Sequence, residues 1–381
     1  MVTNSTGPAP MRLFDTAARQ VVAFQPGPVV TLYTCGITPY DAAHLGHAAT
    51  YLAFDVLQRR LRDRGHETRC VRNVTDVDDD ILRKARQLGV HFLDLAAEEM
   101  GRFDSDMGAL GLLAPYREPR ATSAIPEILS LVDALLSSGH AYRSGGAVYF
   151  RAASDPRFGR ISHLGRPEML SLAAERGGNP DDPHKHDPLD FVLWQPSASD
   201  EPSWETRWGP GRPGWHIECS ALAIRELGPT IDIHGGGDDL VFPHHECEAA
   251  QSEAATGAVF VRHWMHVGMV RLGGVKMSKS LGNLVFVSDL LKDWEGPAIR
   301  LAVLGHHYRS SWDWDESLMP AAAERIASWD LATPGGGALD AVRVRLDDDL
   351  DVPGALAAID RAAAAGEGVT EAAGLLGMAT G

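Results

Sequence analysis

The chain has 381 residues, a length that points to more than one domain. Hydrophobic residues make up 44% of it, which is enough for sizeable cores and excludes global disorder. Its formal net charge of −16 is not that of a typical nucleic-acid-binding protein, and no apolar run approaches the roughly 18 residues of a membrane helix.

Two further features concern the compartment. Residues 1–8 lack the basic start and apolar stretch of a signal peptide, so we expect a cytoplasmic protein. The four cysteines, Cys35, Cys70, Cys219 and Cys247, are too few for a disulfide framework in a chain of this length. We expect them to be core residues or metal ligands, and Cys70 a core residue.

The first part of the chain predicts a strand, a turn, a helix and a second strand. Residues 29–34 are rich in β-branched side chains and end at Cys35-Gly36, as a buried strand entering a tight turn does. Apolar residues recur at helical spacing across 47–65, and 68–74 is a second strand candidate followed by an acidic loop. This order opens a parallel, doubly wound α/β sheet.

The rest predicts an insertion, a return to the sheet and a helical end. Residues 81–139 have a mainly helical pattern, and 142–202 form an irregular insertion rich in Pro, Gly, Asp and His, with a small antiparallel element at 147–150. Strand character returns at 230–234, before three glycines, and near 266–271. Residues 289–381 are expected to be helical, with a flexible joint at 334–337.

The first motif that could take part in catalysis is His44-Leu45-Gly46-His47. Gly46 permits a close approach of the backbone to a nucleotide, and histidines at a helix N-terminus can donate to phosphate oxygens. Two histidines three positions apart at a helix start face the same side. Alone, the motif fits ordinary surface histidines equally well.

The second motif is Lys276-Met277-Ser278-Lys279-Ser280. Two lysines around a serine suit a loop that neutralises negative charge developing on a triphosphate. A basic loop by itself is more often simply solvated.

Together, these two motifs resemble the two signatures of the class I aminoacyl-tRNA synthetases. The resemblance implies a Rossmann-like catalytic core in which both motifs flank ATP, with His44, His47, Lys276 and Lys279 as catalytic residues. It implies these domains: a lead-in with one short strand over 1–28, two catalytic halves over 29–114 and 204–288, an inserted connective domain over 115–203, and a helical C-terminal region over 289–381.

A third set of residues concerns a metal. Cys35, Cys219 and His244 do not have the spacing of a compact zinc finger, and the residues alone favour buried structural cysteines. Their segments, including Gly-Trp-His-Ile-Glu-Cys-Ser around Cys219 and Phe-Pro-His-His-Glu around His244, resemble the cysteine-specific branch of the family. That resemblance implies one Zn²⁺ per chain on these three ligands, with Glu248 as an open candidate for a fourth. An open position on zinc would bind the substrate cysteine as a thiolate, which serine cannot imitate.

Within that branch, two families share these features: the cysteinyl-tRNA synthetases and the mycothiol cysteine ligases, which couple cysteine to the amine of glucosaminyl-inositol. Three observations favour a resemblance to the ligases: an Ile-Thr-Pro-Tyr turn after Cys35 with Ala-Ala-Thr after His47, the ligase-type insertion motif, and a tail of 381 − 329 = 52 residues after Trp329. Glu248 and the sequence of residues 279–283 are instead typical of the synthetases. The insertion motif consists of Glu175, Arg176, Gly177, Gly178, Asn179 and Pro180.

The resemblance therefore implies an enzyme that uses ATP with Mg²⁺ to activate L-cysteine as an adenylate and transfers it to glucosaminyl-inositol, releasing AMP. A cysteinyl-tRNA synthetase, a ligase for another small amine, and an inactive synthetase-like binding protein remain alternatives. We expect no nucleic-acid or membrane partner, and a monomer or homodimer. The residues implied to bind cysteine or the adenylate are Gly36, Ile37, Thr38, Thr50, Asn73, Val74, Thr75, Trp215, Gly237, Asp238, Asp239 and Val270.

Overall fold

The computed structural model describes residues 10–40, 42–277, 281–330 and 335–378. The strands are β1 (Met11–Asp15), β2 (Gln20–Phe24), β3 (Val29–Ile37), β4 (Glu67–Val74), β5 (Ala141–Ser144), β6 (Ala147–Phe150), β7 (Phe191–Gln195), β8 (Arg212–Pro213), β9 (Ile231–Gly237), β10 (Val261–Val267), β11 (Val270–Leu272), β12 (Val275–Lys276) and β13 (Trp312–Asp313). The helices are α1 (Leu45–Asp63), α2 (Asp79–Leu88), α3 (Phe92–Ala109), α4 (Ile125–Ser137), α5 (Arg166–Glu175), α6 (Trp215–Leu227), α7 (Glu246–Thr256), α8 (Val287–Leu290), α9 (Gly296–Leu304), α10 (Leu318–Asp330), α11 (Leu339–Leu346), α12 (Val352–Ala364) and α13 (Thr370–Leu375).

The central sheet has four parallel strands in the order β10-β9-β3-β4. Leu32 in β3 is paired with Ile233 on one side and Cys70 on the other. Consecutive side chains of β3 enter different cores: Leu32 packs with α1, and Tyr33 packs with α6 and α7. Both faces of the sheet are therefore covered, which confirms the predicted doubly wound α/β class.

Helix α1 begins at Leu45, earlier than the predicted 47–65, because His44 caps it. The Nδ1 atom of His44 accepts a hydrogen bond from the backbone of Gly46 at 3.0 Å, and Nδ1 of His47 accepts one from the backbone of His44 at 3.4 Å. This reciprocal pair is a capping box made of histidines. The first motif therefore has a structural function at the helix N-terminus in addition to any chemical one.

The lead-in contains an antiparallel hairpin of β1 and β2, so the prediction of a single strand there was wrong. Met11 and Leu13 are buried, and the backbone N–H of Arg12 donates to the carbonyl of Asp347 at 2.8 Å. These partners are some 330 residues away in the chain, which a local pattern cannot indicate.

The insertion folds around a four-stranded antiparallel sheet in the order β5-β6-β7-β8, which includes the element predicted at 147–150. Strand β8 lies beyond position 203, where the insertion was predicted to end. Buried residues of this sheet, Phe150 and Trp194 among them, share one core with Cys35 and Cys219. The insertion thus packs directly on the cysteine-bearing side of the central sheet.

The strand predicted near 266–271 is two strands. Strand β10 ends at Val267, and β11 pairs with β12 and β13 in a separate small sheet. Strand β9 also continues through Gly237, where a loop was predicted. A Cβ atom on Gly235 would lie 1.7 Å from the carbonyl oxygen of Met265, so only glycine lets β9 and β10 run this close together.

The C-terminal helices pack against α1, as ion pairs at its end show. Arg60 and Arg64 lie 2.7 and 2.6 Å from the carboxylate of Asp347, and Arg343 lies 2.7 Å from that of Asp63. Of the joint predicted at 334–337, Pro334 lies outside the described residues. In the part of the chain that is described, no helix has the length and apolarity needed to cross a membrane.

Candidate active site and metal centre

The predicted site residues gather at the carboxyl edge of the central sheet, where strand ends of a parallel sheet commonly form a site. Gly36, near the end of β3, donates its N–H to Oδ1 of Asn73 at 2.8 Å, and Nδ2 of Asn73 donates to Thr75 at 3.1 Å. A Cβ atom on Gly36 would lie 1.5 Å from the carbonyl oxygen of Asn73. Glycine is therefore required here for the close approach of β3 to β4.

Four potential metal ligands meet beneath this edge. One ligand atom each of Cys35, Cys219, His244 and Glu248 lies within 4.8 Å of all the others, and all four residues are buried. Nε2 of His244 is 3.0 Å from Oε1 of Glu248, and Sγ of Cys35 is 3.5 Å from the same oxygen. The structure thus brings the three expected ligands together with the residue that the sequence left open.

The helices explain this convergence. Trp215 and Cys219 are four residues apart on α6 and so lie on one face, while Glu248 is in the first turn of α7, where the helix dipole stabilises a carboxylate. His244 directly precedes α7, four residues before Glu248. The two helices pack side by side and place all these groups against the end of β3.

The electrostatics of the cluster suit a cation. A hydrogen bond with Cys35 and the charge of His244 lower the pKa of Cys219 to about 6 despite its burial. Burial raises the pKa of Glu248, but His234 and His244 outweigh burial and bring it to about 2. Burial lowers the pKa of His244, but Glu248 and Cys219 outweigh burial and raise it to about 10, so the imidazolium balances the thiolate and the carboxylate, a role that a bound metal ion would take over.

One nitrogen atom of His244 bears on whether this cluster could bind a metal ion. Among the described residues, Nε2 of His244 finds no hydrogen-bond partner although it is buried and 3.0 Å from Glu248. A nitrogen and an oxygen this close would suit two ligands of one metal ion. Two sulfurs, an imidazole and a carboxylate form a ligand set typical of Zn²⁺.

Imidazoles that the sequence reasoning missed surround the cluster. Nδ1 of His244 lies 2.8 Å from Nδ1 of His216, and the ring of Trp215 stacks on His244 with 4.0 Å between ring centroids. Gln251 in turn donates to the backbone carbonyl of His216 at 2.7 Å. Such outer contacts fix the orientation of a ligating imidazole.

A second group of four ligand atoms overlaps the first: Cys35, Glu248, His234 and His245. Nε2 of His234 lies 3.0 Å from the second oxygen of Glu248, and Nδ1 of His245 lies 2.7 Å from His266. The only available sequence signal was the density of histidines in Ile-His-Gly-Gly-Gly and Phe-Pro-His-His. That signal does not say which rings point inward.

The first motif lies at the N-terminus of α1, and Tyr51 of the same helix donates to the backbone carbonyl of Cys35 at 3.2 Å. The rings of His44 and His47 stack with 3.8 Å between their centroids, so the two histidines face the same side, as expected. The backbone N–H of Leu45 donates to Val285 at 2.9 Å, which ties the segment after the second motif to the first. The dipole of α1 favours a negative charge, such as that of a phosphate, at this end of the helix.

The second motif is described as far as Met277, and Ser278, Lys279 and Ser280 lie outside the described residues. Nζ of Lys276 is 2.9 Å from a carboxylate oxygen of Asp239, and Met277 is buried. The backbone N–H of Met277 donates to the carbonyl of Val270 at 3.3 Å. Lys276 is thereby held at the loop that follows β9.

The remaining predicted residues border the same edge. A Cβ atom on Gly237 would lie 2.6 Å from Asp239 and 4.0 Å from the hydroxyl of Thr50, so these residues are neighbours. Thr38 donates to Asp78 at 2.9 Å, and burial raises the pKa of Asp78 to about 6. Burial and Asp239 raise the pKa of Asp238. Ile37 and Val74 are buried under this surface.

The insertion motif lies at the end of α5, and one of its side chains reaches the site. Arg176 donates to the backbone carbonyls of Asp239 and Phe242, between the loop after β9 and His244. Glu175 is the last residue of α5, and Gly177, Gly178, Asn179 and Pro180 belong to the irregular segment that follows the helix.

Comparisons with known proteins agree with this geometry. Residues 22–324 match the family of "tRNA synthetases class I (C) catalytic domain". The chain is 50% identical over 355 residues, covering 91% of this chain and 88% of the relative, to an L-cysteine:1D-myo-inositol 2-amino-2-deoxy-alpha-D-glucopyranoside ligase of Acidothermus cellulolyticus. It is 52% identical over 363 residues, covering 93% of this chain and 82% of the relative, to a ligase of the same name from Parafrankia sp. (strain EAN1pec).

A solved structure shows the same fold. Methionyl-tRNA synthetase of Mycobacterium tuberculosis, in complex with methionyl-adenylate, superposes with a TM-score of 0.66 over 92% of this chain and 88% of that chain. The two sequences are 16% identical, so this likeness bears on the fold alone.

Proposed function

Because this chain belongs to the class I (C) tRNA synthetase catalytic-domain family and, within it, to the L-cysteine:1D-myo-inositol 2-amino-2-deoxy-alpha-D-glucopyranoside ligases, we propose that it activates L-cysteine with ATP and transfers the cysteinyl group to the amine of glucosaminyl-inositol. The observation that carries the proposal is the convergence of Cys35, Cys219, His244 and Glu248 at the end of β3, where the carbonyl of Cys35 accepts a hydrogen bond from α1, the helix that the first motif caps. Nucleotide activation and thiol recognition then have adjoining sites.

The cysteine pocket is the part closest to the metal centre. Cys35, Cys219 and His244, with Glu248 as the open candidate for a fourth ligand, would hold Zn²⁺, which would supply a coordination position that favours a bound thiolate over a hydroxyl. Trp215, stacked on His244, closes one side of this pocket. Gly36, Thr38 and Thr75 are fixed at the strand ends by hydrogen bonds with Asn73 and Asp78, and they would border the rest of the amino acid and the adenylate.

In the first step, the carboxylate of cysteine attacks the α-phosphate of ATP. A bond forms between a carboxylate oxygen and the α-phosphorus, the bond from that phosphorus to the bridging oxygen breaks, and pyrophosphate leaves. His44 and His47 at the N-terminus of α1, together with Lys276, stabilise the added negative charge, and ATP enters with Mg²⁺. Lys279 is proposed for the same role from its motif. In the second step, the acceptor amine attacks the acyl carbon, a C–N bond forms, AMP leaves and the amine proton passes to solvent.

Other features of the function are also proposals. The acceptor is assigned from relatives that share about half of their residues with this chain. A cytoplasmic location and a monomer or homodimer that works without nucleic acid are compatible with small-molecule substrates. The net charge of −16 supports the absence of an extended phosphate-binding surface.

The test is to supply the purified protein with ATP and cysteine, and with either glucosaminyl-inositol or the cysteine tRNA. We expect an amide of cysteine and glucosaminyl-inositol, identified by mass, with one AMP formed per amide. Serine in place of cysteine is the matched control and should yield no product. Charged tRNA without the amide would contradict the assigned acceptor, and no AMP with any acceptor would contradict the proposal as a whole.

A further inference from the structure

One short segment joins the two halves of the proposed site. Gly237, Asp238 and Asp239 belong to the nucleotide side, and His244 belongs to the metal centre, with residues 240–243 between them. The segment passes through a 3₁₀ turn at Asp238–Leu240, and Phe242 is then extended, with φ −140° and ψ 135°. Because this backbone is not one regular helix, it needs contacts from outside to hold its shape.

Arg176 supplies such contacts. Its guanidinium donates to the carbonyl oxygen of Asp239 and to that of Phe242, so one side chain bridges the segment. Arg176 is half-buried. Both bonds come from one nitrogen, Nη1, whose two N–H groups lie in the plane of the guanidinium, so the direction to each carbonyl is set.

The rest of the insertion motif explains how Arg176 is presented. Gly177 has φ +81°, and a Cβ atom on Gly178 would lie 2.9 Å from the carbonyl oxygen of Ala173. The N–H of Gly178 donates to that oxygen at 2.7 Å, and Lys185 donates to the carbonyl of Gly178. The two glycines thus end α5 immediately after Arg176 in a turn that other residues would strain.

Arg176 and the second motif hold the same residue. Arg176 contacts the backbone of Asp239, and Lys276 contacts its carboxylate at 2.9 Å. The charges of Arg176 and Lys276 also oppose the rise in the pKa of Asp238 that burial and Asp239 cause. The insertion motif, the loop at residues 237–239 and the second motif therefore meet at Asp239.

We infer that Arg176 is a positioning residue that couples the ATP site to the cysteine site. By holding the carbonyls of Asp239 and Phe242, it fixes the loop at residues 237–239 relative to His244. Binding of ATP and binding of cysteine then each favour the other. The inference rests on the proposed function for the identity of the two ligands. It gives the Glu-Arg-Gly-Gly-Asn-Pro motif a role within the activation step.

The test compares Arg176→Ala and Arg176→Lys with Arg166→Ala. Arg166 is on the same helix, 54% exposed, and pairs with Asp187 at 2.8 Å, away from the site. We expect Arg176→Ala to lower kcat/KM for cysteine-dependent ATP–pyrophosphate exchange at least tenfold and to raise the KM of both substrates. Arg176→Lys, which keeps the charge but not the planar donor geometry, should recover part of the loss, and Arg166→Ala should behave as wild type.

A binding measurement separates positioning from a general structural effect. Calorimetry gives the Kd of α,β-methylene-ATP, which cannot release pyrophosphate, with and without cysteine. We expect cysteine to tighten binding of this nucleotide in the wild type, and this effect to be mostly lost in Arg176→Ala at a temperature where both proteins are folded. Equal coupling in the two proteins, or none in the wild type, would overturn the inference. A wild type without exchange activity would count against the proposed function instead, because calorimetry measures the coupling between nucleotide and cysteine binding without turnover.

Discussion

At the scale of single residues, Glu248 occupies a central place between two groups of imidazoles. One of its oxygens lies 3.0 Å from His244 and the other 3.0 Å from His234. The residue is fully buried, so its charge must be balanced locally. These contacts make it either the fourth ligand or the group that orients the others.

The substitution Glu248→Gln tests whether this carboxylate contributes to metal binding. Glutamine has nearly the same shape but no charge, so we expect zinc affinity to fall at least about tenfold while the fold is kept. Zinc per chain after dialysis against graded chelator is the measurement. Glu253→Gln is the matched control on α7, because Glu253 pairs with Arg157 and Arg160 at 2.6 and 2.8 Å outside the cluster. Equal zinc retention in the two variants would exclude Glu248 from the centre.

Single residues also show where sequence reasoning ends. Cys35, Cys219 and His244 were identified by the motifs around them, and the fold places them together. His216, His245 and His266 were missed because their importance depends on the direction of buried rings. That direction follows from the packing of α6 and α7 on the sheet, which no local pattern encodes.

At the scale of elements, the sequence predicted the βαβ opening because buried strands and an amphipathic helix have distinct periods. It missed the β1–β2 hairpin because Met11–Asp15 is held by the distant C-terminal region. It ended β9 too early because it took three glycines for a loop, whereas Gly235 permits close strand contact. Each error concerns a contact between parts that are far apart in the chain.

The junction of β3 and β4 supports a prediction at this scale. In Gly36→Ala, the new Cβ atom would lie 1.5 Å from the carbonyl oxygen of Asn73, so the strand ends must move apart. We expect exchange activity to fall by more than about a hundredfold, since small misplacements at a reacting centre carry such losses.

The control for this change is Gly101→Ala in α3. Among the described residues, a Cβ atom there meets nothing within 4 Å. Alanine in a helix interior should keep activity and stabilise the protein by about 0.5–1 kcal/mol. Melting temperature and pyrophosphate exchange are measured for both variants, and a fully active Gly36→Ala would contradict the described junction.

At the scale of the whole molecule, the C-terminal helices are joined to the catalytic core by buried charge. Arg300 of α9 is fully buried, pairs with Asp55 of α1, and donates to the carbonyls of Leu376 and Leu110 at 2.7 and 3.1 Å. One side chain thus joins α1, the end of α3 and the chain after α13. The C-terminal region is therefore part of the support of α1.

Arg300→Met should destabilise the protein by about 3–5 kcal/mol, because it leaves Asp55 buried beside fewer donors. Arg325→Ala is the control: its pair with Asp360 at 2.6 Å is partly exposed, so about 1 kcal/mol or less is expected. Denaturant unfolding measures both. Equal losses would show that the C-terminal helices are not held to the core in this way.

The central claim is that the metal centre binds the sulfur of the substrate. X-ray absorption at the zinc edge, on the purified protein without and with cysteine, tests it most directly. We predict a site with two sulfur ligands that gains a third at about 2.3 Å when cysteine is added and remains unchanged with serine. A protein without zinc, or a sulfur count that cysteine does not alter, would contradict the account.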